Sequence, residues 1–178
     1  LSRHALRLMT RQLWAETATA EVFGQSISSA PTWNEKFQAA EFAFEEAQHS
    51  QMLIDLLEDL GEDVSDILDA RPDAAKFWHL DLNDWVHIAV FNFTVDRGGS
   101  QQIMEYARSS YRPWAEKMGA VLADEEEHYG NGVNNLREFA KDPAQLAHFQ
   151  EVFNELLPNA IKRCFGRPEG PDNDFCLT

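Results

Sequence analysis

Two short motifs constrain the fold of this chain more than any other feature. Glu46 stands three residues before His49, Glu125 stands three residues before His128, and both motifs lie in stretches with helical periodicity. Three residues advance an α-helix by about 300°, so the two side chains of each motif lie on one face, roughly a turn apart. Each motif can bind one metal ion, and two such motifs on two helices predict a site for two ions.

Helical periodicity runs through nearly the whole sequence, and patterns typical of strands are almost absent. We therefore predict an all-α protein in which residues 1–178 form one domain. Two helical hairpins joined by a long connection, each with Glu-x-x-His on its second helix, are typical of a ferritin-like four-helix bundle, here with an additional C-terminal helix. The predicted helices span residues 1–23, 32–60, 83–110, 113–139 and 143–165, with a connection at 61–81, a short helix near 63–70 and an irregular tail at 166–178.

Glycine and proline set most of these predicted boundaries. Gly24 and Gly61 are expected to end the first and second helices, because glycine often follows the last helical turn. Pro31 suits the first turn of the second helix, and Pro113 separates the third helix from the fourth.

The first hairpin predicts a third carboxylate, at the level of its own motif. Residues equally far from the turn of an antiparallel hairpin lie at the same level, and the turn is expected near residues 31–32. The motif at 46–49 then lies beside residue 16, where the chain has Glu16. The competitor Glu21 would need a turn centred at residue 34, which is already inside the second helix.

The second hairpin gives a fourth carboxylate by the same argument. The break at 112–113 and the motif at 125–128 point to about residue 97, next to Asp96. The competitor Glu105 would need a turn at residue 116, within a helix. It also lies on the polar side of the third helix, opposite Asp96. Burial of a lone carboxylate is costly unless it is paired or binds a metal, which favours Asp96 as a ligand.

Four carboxylates and two imidazoles suit two divalent ions of intermediate hardness. Iron and manganese both fit this description, so we expect two ions of iron or manganese. The remaining histidines do not fit the site and are interpreted as ordinary residues: His4, His79, His87 and His148. The six predicted ligands are Glu16, Glu46, His49, Asp96, Glu125 and His128.

Two further carboxylates directly precede ligand glutamates. A metal-bound histidine normally donates its second ring N–H to a carboxylate, which fixes its tautomer. Asp124 is placed to accept from His49, and Glu45 to accept from His128, across the bundle. The alternative is that both are exposed helix acids.

The third helix contains adjacent glycines, Gly98 and Gly99, directly after Asp96 and Arg97. Each costs about 1 kcal/mol relative to alanine inside a helix. A local bulge or a gap for substrate beside the ions would explain them, and a helix break without a role is the alternative.

The formal charge of −15 argues against nucleic acid as a partner. No apolar run approaches the roughly 20 residues that a membrane span needs. The two cysteines form no Cys-x-x-Cys motif, which favours a reducing cytoplasm. The chain starts at Leu1, so we expect that some N-terminal sequence precedes it. Basic residues at 3, 7 and 11 and at 162, 163 and 167 fit solvated helix faces, and a phosphate-bearing substrate or acidic partner is the other interpretation.

The ligand order Glu, Glu-x-x-His, Asp, Glu-x-x-His resembles that of the catalytic subunits of bacterial multicomponent di-iron oxygenases, the phenylacetyl-CoA and benzoyl-CoA epoxidases. Aspartate on the third helix is the telling feature, and the closing segment IKRCFGRPEGPDNDF is similar to the tail of phenylacetic acid catabolic proteins. Many relatives have arginine before each motif histidine, where this chain has Gln48 and Glu127.

The resemblance implies a di-iron monooxygenase that uses O2 to epoxidise or hydroxylate an aromatic acyl-CoA. It also implies electrons from a separate reductase, an oligomer, and a structural partner subunit in some cases. Two alternatives stay open: a ferritin-like ferroxidase or iron-storage protein, and a non-catalytic bundle partner of an oxygenase. Storage would require a large cage, whereas a non-catalytic partner would be free to lose ligands, and this chain retains all six.

Overall fold

A computed structural model describes residues 3–70, 76 and 78–164 of the chain, and that part is helical without strands. The all-α prediction is therefore confirmed, and the predicted tail at 166–178 lies outside the described residues. No helix in the described ranges is both long and apolar enough to cross a membrane. The elements are α1 (Arg3–Ser26), α2 (Trp33–Asp59), α3 (Val64–Asp69), α4 (Trp85–Phe91), a π-helical turn (Asn92–Asp96), α5 (Arg97–Tyr106), α6 (Arg112–Ala115), α7 (Met118–Phe139) and α8 (Pro143–Cys164).

The architecture is a ferritin-like bundle. α1 and α2 pack along each other as one hairpin, while α4, the π-helical turn and α5 together form the third long helix, which packs against α7. The additional C-terminal helix, α8, is present as predicted, and it lies against α4. The short helix α3 contacts α1, since the indole Nε1 of Trp14 donates to the carbonyl oxygen of Ile67 at 2.6 Å.

A capping box begins α2. The Thr32 hydroxyl accepts from the backbone N–H of Glu35 at 3.2 Å, and the Glu35 carboxylate accepts from the backbone N–H of Thr32 at 2.9 Å. Pro31 therefore precedes the cap and does not lie in the first helical turn, contrary to the prediction. Gly61 has a φ of +84° and ends α2 as expected, whereas Gly24 lies inside α1, which continues to Ser26.

The third helix differs from the continuous 83–110 helix that periodicity predicts. It begins at Trp85, where the Asp84 carboxylate caps it by accepting from the backbone N–H of Val86 at 3.0 Å. A π-helical turn then interrupts it. The helix ends at Tyr106, and in the turn that follows, the backbone N–H of Ser109 donates to the Tyr106 carbonyl oxygen at 2.9 Å. A π-helical turn contains about one residue more than an α-helical turn. The spacing of hydrophobic residues does not reveal this difference, so the interruption was not predicted.

The predicted helix at 113–139 is also divided. Pro113 lies in the first turn of the short helix α6, and the long helix α7 begins at Met118. Trp114 in α6 is buried, and its indole Nε1 donates to the Gln12 side-chain oxygen on α1 at 2.8 Å. This hydrogen bond connects α6, which precedes the second long helix of the second hairpin, to α1 of the first hairpin.

Two hydrophobic clusters fill opposite parts of the bundle and leave a polar layer between them. One includes Leu13 and Leu53 together with Trp114, and the other includes Phe23, Phe42 and other aromatic side chains. A third cluster joins α4 to α8. The polar layer is where the six predicted ligands lie, so the surrounding core isolates them from solvent.

Candidate metal centre

Four separate elements bring the six predicted ligands into the bundle interior. α1 supplies one glutamate, α2 supplies a Glu-x-x-His motif, the π-helical turn supplies the aspartate, and α7 supplies the second motif. All six side chains are buried. Their exposed fractions are 4 % for Glu16, 1 % for Glu46, 6 % for His49, 3 % for Asp96, 6 % for Glu125 and 0 % for His128.

Glu46 lies at the centre of this group. One of its carboxylate oxygens is 3.6 Å from Nδ1 of His49, and the other is 3.3 Å from Nδ1 of His128. Nδ1 of His49 is also 3.4 Å from a carboxylate oxygen of Glu16. Glu46 thus contacts the histidines of both hairpins.

Ligand atoms of four residues converge most closely. Glu16, Glu46, His49 and Glu125 each offer an atom within 4.8 Å of the others, a spacing that could hold an ion. His128 joins them through its contact with Glu46, whereas Asp96 is not part of this compact group.

Several buried atoms that face the centre lack a hydrogen bond. They are the second carboxylate oxygen of Glu46, one carboxylate oxygen of Asp96, and Nδ1 of both motif histidines. Leaving buried polar atoms unsatisfied costs free energy unless another group binds them. Divalent cations would satisfy all of these atoms at once, so the residues fit a metal site.

The outer nitrogens of both histidines have carboxylate partners. Nε2 of His49 lies 3.0 Å from the Asp124 carboxylate, and Nε2 of His128 lies 2.9 Å from the Glu45 carboxylate. Because an ionised carboxylate can only accept, Nε2 carries a proton, and Nδ1 is the nitrogen that faces the centre and would bind an ion once it is deprotonated. Each histidine is held by a carboxylate from the other hairpin.

The electrostatics indicate excess negative charge. Burial raises the pKa of Glu16 to about 7 and that of Asp96 to about 8, and the neighbouring carboxylate of Glu46 adds to both shifts. Burial, with the charges of Glu46 and Asp96, also raises the pKa of Glu125 well above its ordinary value. Without cations the cluster therefore retains protons, which metal binding would displace.

The pKa of Glu46 is lowered, in contrast to the raised pKa of the other three carboxylates. Burial alone would raise its pKa, but contacts with His128 and His49 outweigh burial and hold the pKa at about 2. Burial likewise opposes protonation of His49, yet the carboxylates of Glu16 and Glu46 raise its pKa to about 11. Without cations, the positive charge of the two histidines thus partly neutralises the carboxylates.

Two glycines create space at the centre. A Cβ at Gly99 would lie 3.1 Å from a carboxylate oxygen of Glu125, so glycine leaves room for that side chain. A Cβ at Gly132 would lie 2.5 Å from the backbone nitrogen of Phe93, so α7 approaches the π-helical turn at backbone contact. A π-helical turn ends just before Gly98 and Gly99, but both glycines lie in α5, so the bulge suspected at the glycines is not where the sequence placed it.

Sequence reasoning missed several residues that support the cluster. The Gln12 side-chain nitrogen donates to the Glu16 carboxylate at 2.8 Å, and Gln12 in turn accepts from Trp114. Asn92 is fully buried four residues before Asp96. The ring of Phe42 packs against the imidazole of His128, with ring centroids 4.1 Å apart. Gln12, Phe42 and Asn92 each carried a signal, since each precedes a predicted ligand by four residues on the same face.

The rejected candidates lie elsewhere. Glu105 forms an exposed ion pair with Arg108 at 3.3 Å, and Glu21 is not part of the compact group. His148 and His87 lie beside Asp84 at the start of α4, at 2.6 Å and 3.9 Å from its carboxylate. His4 and His79 are absent from the group of described residues that could hold an ion.

Comparison with known proteins adds a family and a relative. A family model described as "Phenylacetic acid catabolic protein" matches residues 4–172. The chain is 28 % identical over 159 residues to one of the subunits of 1,2-phenylacetyl-CoA epoxidase from Escherichia coli (strain K12), an alignment that covers 85 % of this chain and 49 % of the relative. The chain thus spans about half the length of the curated relative that it matches.

Proposed function

The chain belongs to the phenylacetic acid catabolic protein family, as its ligand order and tail predicted, and on this premise we propose that it is the catalytic component of a di-iron oxygenase. Its substrate would be an aromatic acyl-CoA such as phenylacetyl-CoA or benzoyl-CoA, converted to an epoxide or a hydroxylated product with O2. The observation that carries the proposal is the buried cluster of carboxylates and imidazoles whose central atoms lack hydrogen bonds.

The proposed ligands divide evenly between the hairpins. Glu16 and the motif of Glu46 and His49 would come from the first hairpin, and Asp96 and the motif of Glu125 and His128 from the second. Four carboxylates offset the charge of two divalent cations, and the two imidazoles favour iron or manganese over magnesium or calcium. The bound ions would supply O2 activation, which side chains alone cannot provide.

The residues around the ions would orient and shield them. With ions bound, Asp124 and Glu45 would accept from Nε2 of the motif histidines and so leave Nδ1 free to bind an ion. Gln12 orients the Glu16 carboxylate through its side-chain N–H. The hydrophobic clusters on both sides exclude water, which would protect a reactive centre from side reactions.

Electrons for this reaction would come from a separate protein. The sequence contains no flavin, dinucleotide or iron–sulfur signature, and a monooxygenase needs two electrons for each O2. The similar Escherichia coli protein is one component of an enzyme with named subunits, which supports an assembly of several proteins. We propose a reductase, and in addition a structural partner protein, as partners in the cytoplasm.

Metal content of single variants tests the site. Alanine at any one of the six proposed ligands should reduce bound iron from two ions per chain to one or none. The matched controls are Glu21→Gln and Glu105→Gln. Glu21 lies on α1 with Glu16, and Glu105 lies on the same long helix as Asp96. Both controls should leave iron content unchanged. Unchanged iron in all six alanine variants would place the site elsewhere.

Activity tests the reaction. Purified protein loaded with iron(II) should be incubated with phenylacetyl-CoA or benzoyl-CoA, a reductase, partner proteins and isotopically labelled O2, and the products analysed by mass spectrometry. We expect incorporation of one labelled oxygen atom into a thioester. If neither thioester gains oxygen while iron(II) is oxidised rapidly and mineralises in a large oligomer, the chain is a storage protein instead.

A further inference from the structure

The outward face of α2 leaves aromatic side chains exposed. Trp33 is 82 % exposed, Phe37 is 64 % exposed and Phe44 is 63 % exposed. Their spacing of four and seven residues places them within one narrow band along the helix. We call these three residues the aromatic stripe.

The aromatic stripe lies on the opposite side of α2 from the candidate metal centre. Phe44 and Glu46 differ by about 200° around the helix axis, so one points outward where the other points into the bundle. Farther along the same outward face, Gln51 and Asp55 are exposed polar residues. The apolar part of this face is therefore confined to the N-terminal half of α2.

The aromatic stripe is comparable in area to the largest exposed apolar patch of a typical monomer. Aromatic side chains bury about 150–250 Å² each, so three that are roughly two-thirds exposed present on the order of 300–500 Å². The largest apolar patch on a typical monomer is of that size and is often functional. A specific interface buries about 800 Å² on each partner, so the stripe supplies about half, and a polar rim must supply the rest.

The rim beside the stripe is acidic. Glu41 is exposed on α2, and Glu45 follows one turn later with its side chain 21 % exposed. Glu45 is also the carboxylate that accepts from His128. A protein bound over this rim would therefore contact one of the outer supports of the candidate centre.

Charge argues against a second copy of this chain as the occupant. α2 has a single lysine, Lys36, and its amine already donates to the carbonyl oxygens of Ile27 and Ser28 at 2.8 Å and 3.1 Å. A two-fold contact between copies would place one acidic rim beside another, in a chain with a formal charge of −15. Complementarity instead requires lysine or arginine on the partner.

We propose that the aromatic stripe and its acidic rim form the docking surface for a different protein, one that presents an apolar helical face bordered by lysine or arginine. The surface concerns binding alone, so it stands whether or not the proposed oxygenase reaction is correct. Apolar contact with the stripe would provide most of the affinity, and the rim would set orientation and salt dependence.

A model ligand tests the chemistry of this surface. The probe is a fluorescent helical peptide with leucine on one face and lysine on the other, and its binding to the full chain is measured by anisotropy at low and high salt. We expect binding that weakens with salt, and affinity at least about tenfold lower for the double variant Trp33→Ser with Phe37→Ser. A peptide with glutamate in place of lysine should not bind.

The matched control removes exposed apolar side chains from other elements without changing charge. Met104→Ser with Ile161→Ser, at residues 41 % and 49 % exposed, should leave peptide affinity within about twofold. Equal affinity for the stripe variant and the control, both shown to be folded by circular dichroism, would overturn the proposal, because attraction would then be non-specific. A wild-type dimer in sedimentation that the stripe variant abolishes would also overturn it, because a second copy would then cover the stripe.

Discussion

A single methyl group at residue 132 should displace the π-helical turn. A Cβ on Gly132 would lie 2.5 Å from the backbone nitrogen of Phe93, and 2.9 Å from both the carbonyl carbon of Asn92 and Cα of Phe93. All three atoms belong to the main chain, so no change of side-chain rotamer can relieve the overlap. In Gly132→Ala, either α7 or the π-helical turn has to move.

The expected loss of stability follows from two opposing contributions. Alanine favours a helix over glycine by about 1 kcal/mol, whereas overpacking a well-filled core costs about 1–3 kcal/mol and occasionally more. Contact with backbone places Gly132→Ala at the upper end of that cost. We expect a net loss of about 2 kcal/mol, which in a chain of this size lowers Tm by about 4–8 °C.

Gly130 provides the matched control on the same helix. A Cβ there would have no atom within 4 Å, so Gly130→Ala changes only helix propensity and should stabilise the protein by up to about 1 kcal/mol. Asp96 lies at the end of the π-helical turn, so Gly132→Ala should also lower iron content, whereas Gly130→Ala should not.

Urea unfolding followed by circular dichroism, with and without iron(II), measures the change in stability. Metal analysis of the same variants measures the change in iron content. Equal stability and equal iron content for Gly132→Ala and Gly130→Ala would refute the close contact between α7 and the π-helical turn. Loss of stability without loss of iron would show that the turn can move without displacing Asp96.

Three further predictions concern the candidate centre. Gly99→Ala should weaken iron binding with little loss of stability, because its Cβ, 3.1 Å from the Glu125 carboxylate, displaces a flexible side chain, and iron titration by isothermal calorimetry checks this. Asp124→Asn should weaken iron binding about 10–100-fold, as loss of such a partner typically does, while Glu127→Gln on the same helix should not, again by iron titration. In the presence of chelator, stability should fall as pH rises from about 5 to 8, since the raised pKa of Glu16, about 7, and that of Asp96, about 8, mean that the folded state binds more protons than the unfolded state in that range. Urea unfolding at pH 5 and pH 8 measures it, and higher stability at pH 8 would contradict the direction of these shifts.

The sequence predicted the bundle and the convergence of most candidate ligands because both follow from helical geometry. Spacing fixed the faces of the two motifs, and equal distances from the turns selected Glu16 over Glu21 and Asp96 over Glu105. The structure brings Glu16 into contact with His49 and buries Asp96 in the same polar layer. Whether the six residues bind iron stays a prediction.

What the sequence did not predict depends on contacts between elements. The π-helical turn at Asn92–Asp96 adds to the helix without altering its apolar pattern, so periodicity cannot detect it. The role of Gly132 depends on how closely α7 approaches that turn. Exposure of Trp33 likewise depends on which neighbours cover it, and composition alone would assign a tryptophan to the core.

The division of the ligands between two hairpins also has a consequence during translation. Glu16, Glu46 and His49 leave the ribosome well before Asp96, Glu125 and His128, and at about 5–20 residues per second the delay between His49 and His128 is roughly 4–16 s. Throughout that interval His49 lacks the carboxylate that would fix its tautomer, and Glu46 lacks its second histidine. A nascent first hairpin therefore cannot assemble the whole ligand cluster before the second hairpin has been synthesised.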